Sequence, residues 1–162
     1  MKKRLKIIGR TRGARGFSVI ELLVVTVVVG VLATFSVAVI QRSLQALRLE
    51  SGVGTLSNAL MEARFYAIKR NRNSWVAISQ ASRTIEVRST DDAGATVVIS
   101  PAKTLPDGVT VQDTSATTVT FTSLGRNQAG AASNVQISTT SPSNCKRISV
   151  SAVGKAAVTT CG

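Results

Sequence analysis

The feature that most constrains this chain is a 24-residue apolar run, residues 17–40 (FSVIELLVVTVVVGVLATFSVAVI), broken by one charge, Glu21. As a helix rising about 1.5 Å per residue it reaches roughly 36 Å, against about 30 Å of bilayer hydrocarbon, so it is long enough to span a membrane. The 16 residues in front, MKKRLKIIGRTRGARG, hold Lys2, Lys3, Arg4, Lys6, Arg10, Arg12 and Arg15 and no acid. Lys and Arg are retained on the cytoplasmic side of a bilayer, so the chain beyond the run is exported. The formal net charge of +12 invites a nucleic-acid reading,. With 7 of the 20 cations in this leader, much of that charge is a membrane orientation signal. A secretory signal peptide cut after Ser36-Val37-Ala38 is the simpler alternative. Its apolar core, however, should be about 7 to 15 uncharged residues, and this run is longer and holds a carboxylate.

A carboxylate at membrane depth costs a few kcal/mol and calls for a partner. Cleavage after Gly16 would supply one, because the new ammonium at Phe17 would lie one helical turn from Glu21. A pair formed with a neighbouring chain would offset the burial cost only in an assembly and would fix the register between subunits. The string Arg15-Gly16-Phe17-Ser18-Val19-Ile20-Glu21-Leu22-Leu23 behind a basic leader closely resembles the class III leader of type IV pilins and type II secretion pseudopilins. The resemblance implies that a membrane prepilin peptidase cleaves after Gly16 and methylates Phe17. It also implies that the subunit sits in membrane lipid until an inner-membrane platform assembles it with other pilins into a filament. Many major pilins carry a helix-kinking Pro where this chain has Ala38, which leaves only Gly30 as a weak point in the membrane half.

Beyond residue 40 the apolar positions Leu49, Val53, Leu56, Leu60, Ala63 and Ala67 recur at alternating spacings of four and three, the stripe of an amphipathic helix reaching about Arg72,. Gly52 and Gly54 predict a bend. The cations Lys69, Arg70 and Arg72 suit the negative end of the helix dipole better than a binding patch. After Ser74 the period becomes two, with β-rich runs at 75–79, 84–89, 96–100, 109–112, 117–122, 135–139, 147–152 and 156–160, separated by Gly, Pro, Asp, Asn and Ser,. Asp91-Asp92 reads as turn chemistry. The expected fold class is α+β: a leader (1–16), a transmembrane helix half (17–40), its amphipathic continuation (41–73) and an exported antiparallel β domain (74–162).

Cys145 and Cys161 lie symmetrically about Val153, so a hairpin turning through Ala152-Val153-Gly154 places them opposite each other, within disulfide range. Export to an oxidising compartment favours that bond, worth about 3 kcal/mol for a loop of this size. The chain contains no His. A Ser-His-Asp triad, a Cys-His dyad and His-ligated zinc or haem are therefore excluded, and no catalytic, metal or cofactor site is expected.

Three further stretches resemble the GspH/FimT group of minor pseudopilins and minor pilins: Leu60-Met61-Glu62-Ala63-Arg64-Phe65-Tyr66-Ala67-Ile68-Lys69-Arg70-Asn71, Phe121-Thr122-Ser123-Leu124-Gly125-Arg126, and Arg147-Ile148-Ser149-Val150-Ser151-Ala152-Val153-Gly154-Lys155. The resemblance implies a pilin-like fold and a structural role: a minor pseudopilin at or near the tip of a type II secretion pseudopilus, in the bacterial inner membrane with its C-terminal domain periplasmic. The alternative is a FimT/FimU-type minor pilin of a type IV pilus. Some FimT-type pilins bind DNA through a Gly-Arg-x-Arg stretch; here it is Gly154-Lys155-Ala156-Ala157, without the second cation. Arg126, Lys146, Arg147 and Lys155 are the candidate DNA patch, with three or four phosphate contacts giving weak, salt-sensitive binding.

Replacing Glu21→Leu should leave processing and membrane insertion intact while impairing filament incorporation. Normal incorporation, scored by co-purification with filament subunits, would refute the charge-pair argument.

Overall fold

The computed structural model describes residues 17–112, 115–139 and 144–161, the side chains of 35–39 excepted. Helix α1 (Val19–Arg70) is followed by eight strands: β1 (Ser74–Ser79), β2 (Thr84–Thr90), β3 (Thr96–Thr104), β4 (Val109–Val111), β5 (Thr118–Phe121), β6 (Ser133–Thr139), β7 (Cys145–Val150) and β8 (Ala156–Thr160). The chain divides into two compact units at residues 40 and 41.

In the first unit, α1 opens with Leu22 N donating to Ser18 O at 3.1 Å and with Glu21 in its first turn. Ser18 and Glu21 have the Ser-x-x-Glu spacing of a capping box, and an acid there suits the positive end of the helix dipole. From Val19 to Leu32 the large apolar side chains are exposed. The described residues by themselves contain no helix long and apolar enough to cross a membrane. The expected span of 17–40 includes residues 35–39, whose side chains lie outside the description.

In the second unit the expected stripe is the buried one: Leu49, Val53, Leu56, Leu60, Ala63 and Ala67 all join the core, together with Ala59. No break in α1 marks Gly52 or Gly54. Gly52 instead permits close approach, since a Cβ there would lie 3.1 Å from Val109 Cγ1 on β4. The helix stops two residues short of the expected Arg72. Asn71 takes a left-handed conformation (φ 52), its N–H bonds Ile68 O at 3.3 Å, and Arg72 N bonds Ala67 O at 3.1 Å. That is a Schellman motif with Asn in the position usually held by Gly.

The strands form two antiparallel four-stranded sheets, in the orders β3-β2-β1-β5 and β4-β6-β7-β8, a division that strand periodicity alone does not reveal. Alternation selects the inward faces: Val76 and Ile78, Ile85 and Val87, and Val119 and Phe121 from the first sheet; Val109, Val111, Val135, Ile137, Ile148 and Val150 from the second,. All join the helix stripe in one apolar cluster. Strand β3 runs four residues beyond the expected end, past Pro101; it is an edge strand with register shifts against β2, where a missing N–H is tolerated,. Asp91 makes the expected turn, its Oδ1 accepting from Ala93 N at 2.9 Å and Ala95 N at 2.7 Å.

Strand β7 spans 145–150 where 147–152 was expected, because Ser151 and Ala152 already belong to the turn. Gly154 N donates to Ser151 O at 2.8 Å and Ser151 N to Lys155 O at 2.9 Å, with Gly154 at φ 77: a three-residue hairpin loop closed by a left-handed glycine,. From this turn Lys146 pairs with Thr160, and one step further Cys145 and Cys161 are bridged, their Cα atoms 5.4 Å apart. Replacing Cys145→Ser with Cys161→Ser should lower unfolding stability by about 3 kcal/mol. Urea unfolding of the oxidised protein and the variant checks this.

Candidate functional site

The two loops singled out by sequence have one construction. In Thr122-Ser123-Leu124-Gly125-Arg126, Gly125 N donates to Thr122 O at 2.7 Å and Thr122 N to Arg126 O at 2.9 Å, with Gly125 at φ 71. Ser151-Ala152-Val153-Gly154-Lys155 repeats that pattern. Each turn carries an exposed aliphatic residue before the glycine, Leu124 or Val153, and an exposed cation after it, Arg126 or Lys155. The turns also touch: Asn127 N donates to Ala152 O at 3.1 Å, and a Cβ on Gly154 would lie 2.1 Å from Gly125 O.

Helix α1 supplies the third side. A Cβ on Gly125 would lie 2.6 Å from Ile68 Cδ1, and Arg64 Nε is 3.2 to 3.3 Å from the Cβ positions of both glycines. Arg64 Nη2 donates to Val153 O at 3.3 Å, while its buried Nε has no hydrogen-bond partner. Beside it lies a groove of about 220 Å³ with Leu60, Met61 and Phe121 as apolar lining and Arg64 and Lys155 as cations. Arg64 belongs to the helix stretch quoted above. Only the fold shows its part in the site, because its partners lie about 60 and 90 residues further along the chain,.

The four cations of the candidate DNA patch are placed differently from one another. Lys146 and Arg147 are adjacent on β7 and so point to opposite faces of the sheet,. Lys146 is ion-paired with Glu50 of α1. Arg147 faces Gln136, which, with its amide oriented to satisfy both ends, accepts from Arg147 Nε at 3.1 Å and Nη2 at 2.8 Å. Arg126 and Lys155 flank the paired glycines, on the same end as Arg64. Phe17 is exposed and Glu21 lies in the first turn of α1; Gly16 lies outside the described residues. Among those residues no group of three or more His, Cys, Asp or Glu could hold a metal ion.

The family described as Type II transport protein GspH matches residues 53–154, more than half of the chain and nearly all of its β domain. This chain belongs to the GspH family. Among solved structures, the minor pseudopilin EpsH of the type 2 secretion system of Vibrio cholerae matches with a TM-score of 0.58 at 13% identity, over 70% of this chain and 97% of that one. The type IV minor pilin FimU of Pseudomonas aeruginosa matches with a TM-score of 0.55 at 15% identity, over 70% and 88%. At such identities the likeness is one of fold. No curated protein matches the sequence. In this GspH-family chain the Phe-x-x-x-Gly-Arg turn and the closing hairpin are the two halves of one contact.

The glycine contact predicts an asymmetric tolerance. Gly154→Ala should destabilise the protein by at least about 1–3 kcal/mol, the cost of a left-handed non-glycine residue, with the clash against Gly125 O in addition. Val153→Ala, at the exposed tip, should be near neutral. Thermal or urea unfolding of both variants decides.

Proposed function

We propose that this chain is a minor pseudopilin, a structural subunit at or near the tip of a type II secretion pseudopilus that takes part in protein secretion. The carrying observation is the GspH-family match over the β domain, on a fold shared with EpsH. In this reading residues 1–16 are a leader removed after Gly16 by a prepilin peptidase, which also methylates Phe17. Residues 17–40 anchor the subunit in the inner membrane and afterwards pack against other pilin-like helices. The exposed apolar side chains of 19–32 support this role, since such a surface calls for lipid or protein cover,.

Glu21 has two roles in the proposal. In the isolated subunit its carboxylate sits at the positive end of α1 with capping-box spacing to Ser18; in the filament it pairs with the Phe17 ammonium of a neighbour. The periplasmic domain works as a rigid body with no catalytic step, clamped at one end by Cys145–Cys161 and at the other by the paired glycine turns. A type IV minor pilin is the alternative supported by the FimU likeness; it would use the same helix. DNA capture has little support, because Lys146 is engaged with Glu50 and Arg147 faces Gln136 on the other side of the sheet.

The test is mass spectrometry of the protein from membranes with active prepilin peptidase, joined to a secretion assay. The expected N-terminus is Phe17, heavier by one methyl group. Deleting the gene should block release of secreted proteins while surface pili persist. An intact leader, or a start near Val39, would sink the pilin-like reading; loss of pili with normal secretion would favour the pilus alternative.

A further inference from the structure

Charge is unevenly engaged on the domain after residue 40. Its described acids are all taken up: Glu50 pairs with Lys146, Glu62 with Lys103, Glu86 with Arg88, Asp92 with Arg72 and Asp107 with Arg83, while Asp91 caps its own turn. None of these ion pairs uses Arg64, Arg126 or Lys155. Those three cations gather where α1 meets the paired turns. Arg64 is held there one donor short, because its buried Nε has no partner.

Between the cations lies apolar surface. Met61, Phe65 and Ile68 stand three and four residues apart on one exposed side of α1, and Ile68 abuts Gly125,. The tips Leu124 and Val153, 75% and 57% exposed, extend that stripe across the turns. Helix and turns are tied together by Arg64 Nη2 on Val153 O, so the patch is one surface on a rigid support. An apolar centre bearing an aromatic residue and Arg, rimmed by charge, has the anatomy of a protein–protein interface. A phosphate backbone would use the cations and leave the aliphatic residues without a role.

We propose that this patch docks the acidic, apolar-centred face of a different pseudopilin. The inference rests on the pseudopilin reading above and adds the surface and the chemistry of its partner. Charge complementarity identifies the occupant. A second copy of this chain meeting it through the same patch would bring cations against cations, and like charges brought together oppose association. The contact is therefore heterotypic.

The experiment co-expresses the full-length chain in membranes with each pseudopilin encoded beside it and measures partner retained on purification in mild detergent. The wild-type chain should retain one such pseudopilin. Arg126→Glu with Lys155→Glu should reduce that retention at least tenfold, with the unfolding midpoint unchanged, and Lys in place of an acid on the partner should restore it. A second variant, Met61→Gln with Leu124→Gln, tests the apolar centre through exposed positions and should also reduce retention. Undiminished retention in both folded variants overturns the patch and leaves the pseudopilin reading standing. No retention by the wild-type chain overturns both. Binding of duplex DNA by the wild-type chain, lost in the charge-reversed variant while partner retention persists, would assign the cations to nucleic acid instead.

Discussion

Everything after residue 40 depends on one helix burying a single narrow stripe beneath two sheets. A helix that met one sheet could use large side chains along its contact line. This one alternates Leu49, Val53, Leu56 and Leu60 with Gly52, Ala59, Ala63 and Ala67, and the small residues admit strands to the helix surface. The sheet side answers with β-branched residues from six strands, so the core is filled by Val and Ile around the buried ring of Phe121. Such packing is stiff at χ1 and intolerant of volume changes.

Most of this organisation is readable in the sequence because it is periodic. The stripe on α1, the run of β-rich segments and the hairpin joining the cysteines follow from spacings of three and four, of two, and of symmetry about Val153. The parts that escape are non-local. The division into two sheets depends on β5 crossing to pair with β1, which no local pattern announces. Asn71 was a readable stop signal, since Asn tolerates the left-handed conformation at a helix end; the cations around it draw attention to the dipole instead.

The candidate site was legible in pieces. Gly125-Arg126 and Gly154-Lys155 stand out as motifs, and Arg64 lies in a third, yet their meeting is a product of tertiary structure. The opposite holds for Lys146 and Arg147. Adjacent in sequence, they suggest a shared patch, but neighbours on a strand face opposite ways, and only the fold shows that one reaches Glu50 and the other Gln136,. Ion pairing on one part of the domain thus decides where unneutralised charge remains on another.

The paired turns separate two kinds of sequence freedom. Backbone approach between Gly125 and Gly154 brings the loops together without help from the side chains at their tips, and Leu124, Val153, Arg126 and Lys155 are all exposed. Residues at those four positions can drift as a neighbouring protein changes, with little penalty to the domain that displays them. The scaffold resembles a socket with interchangeable prongs, in which recognition can diversify while the two glycines stay in place.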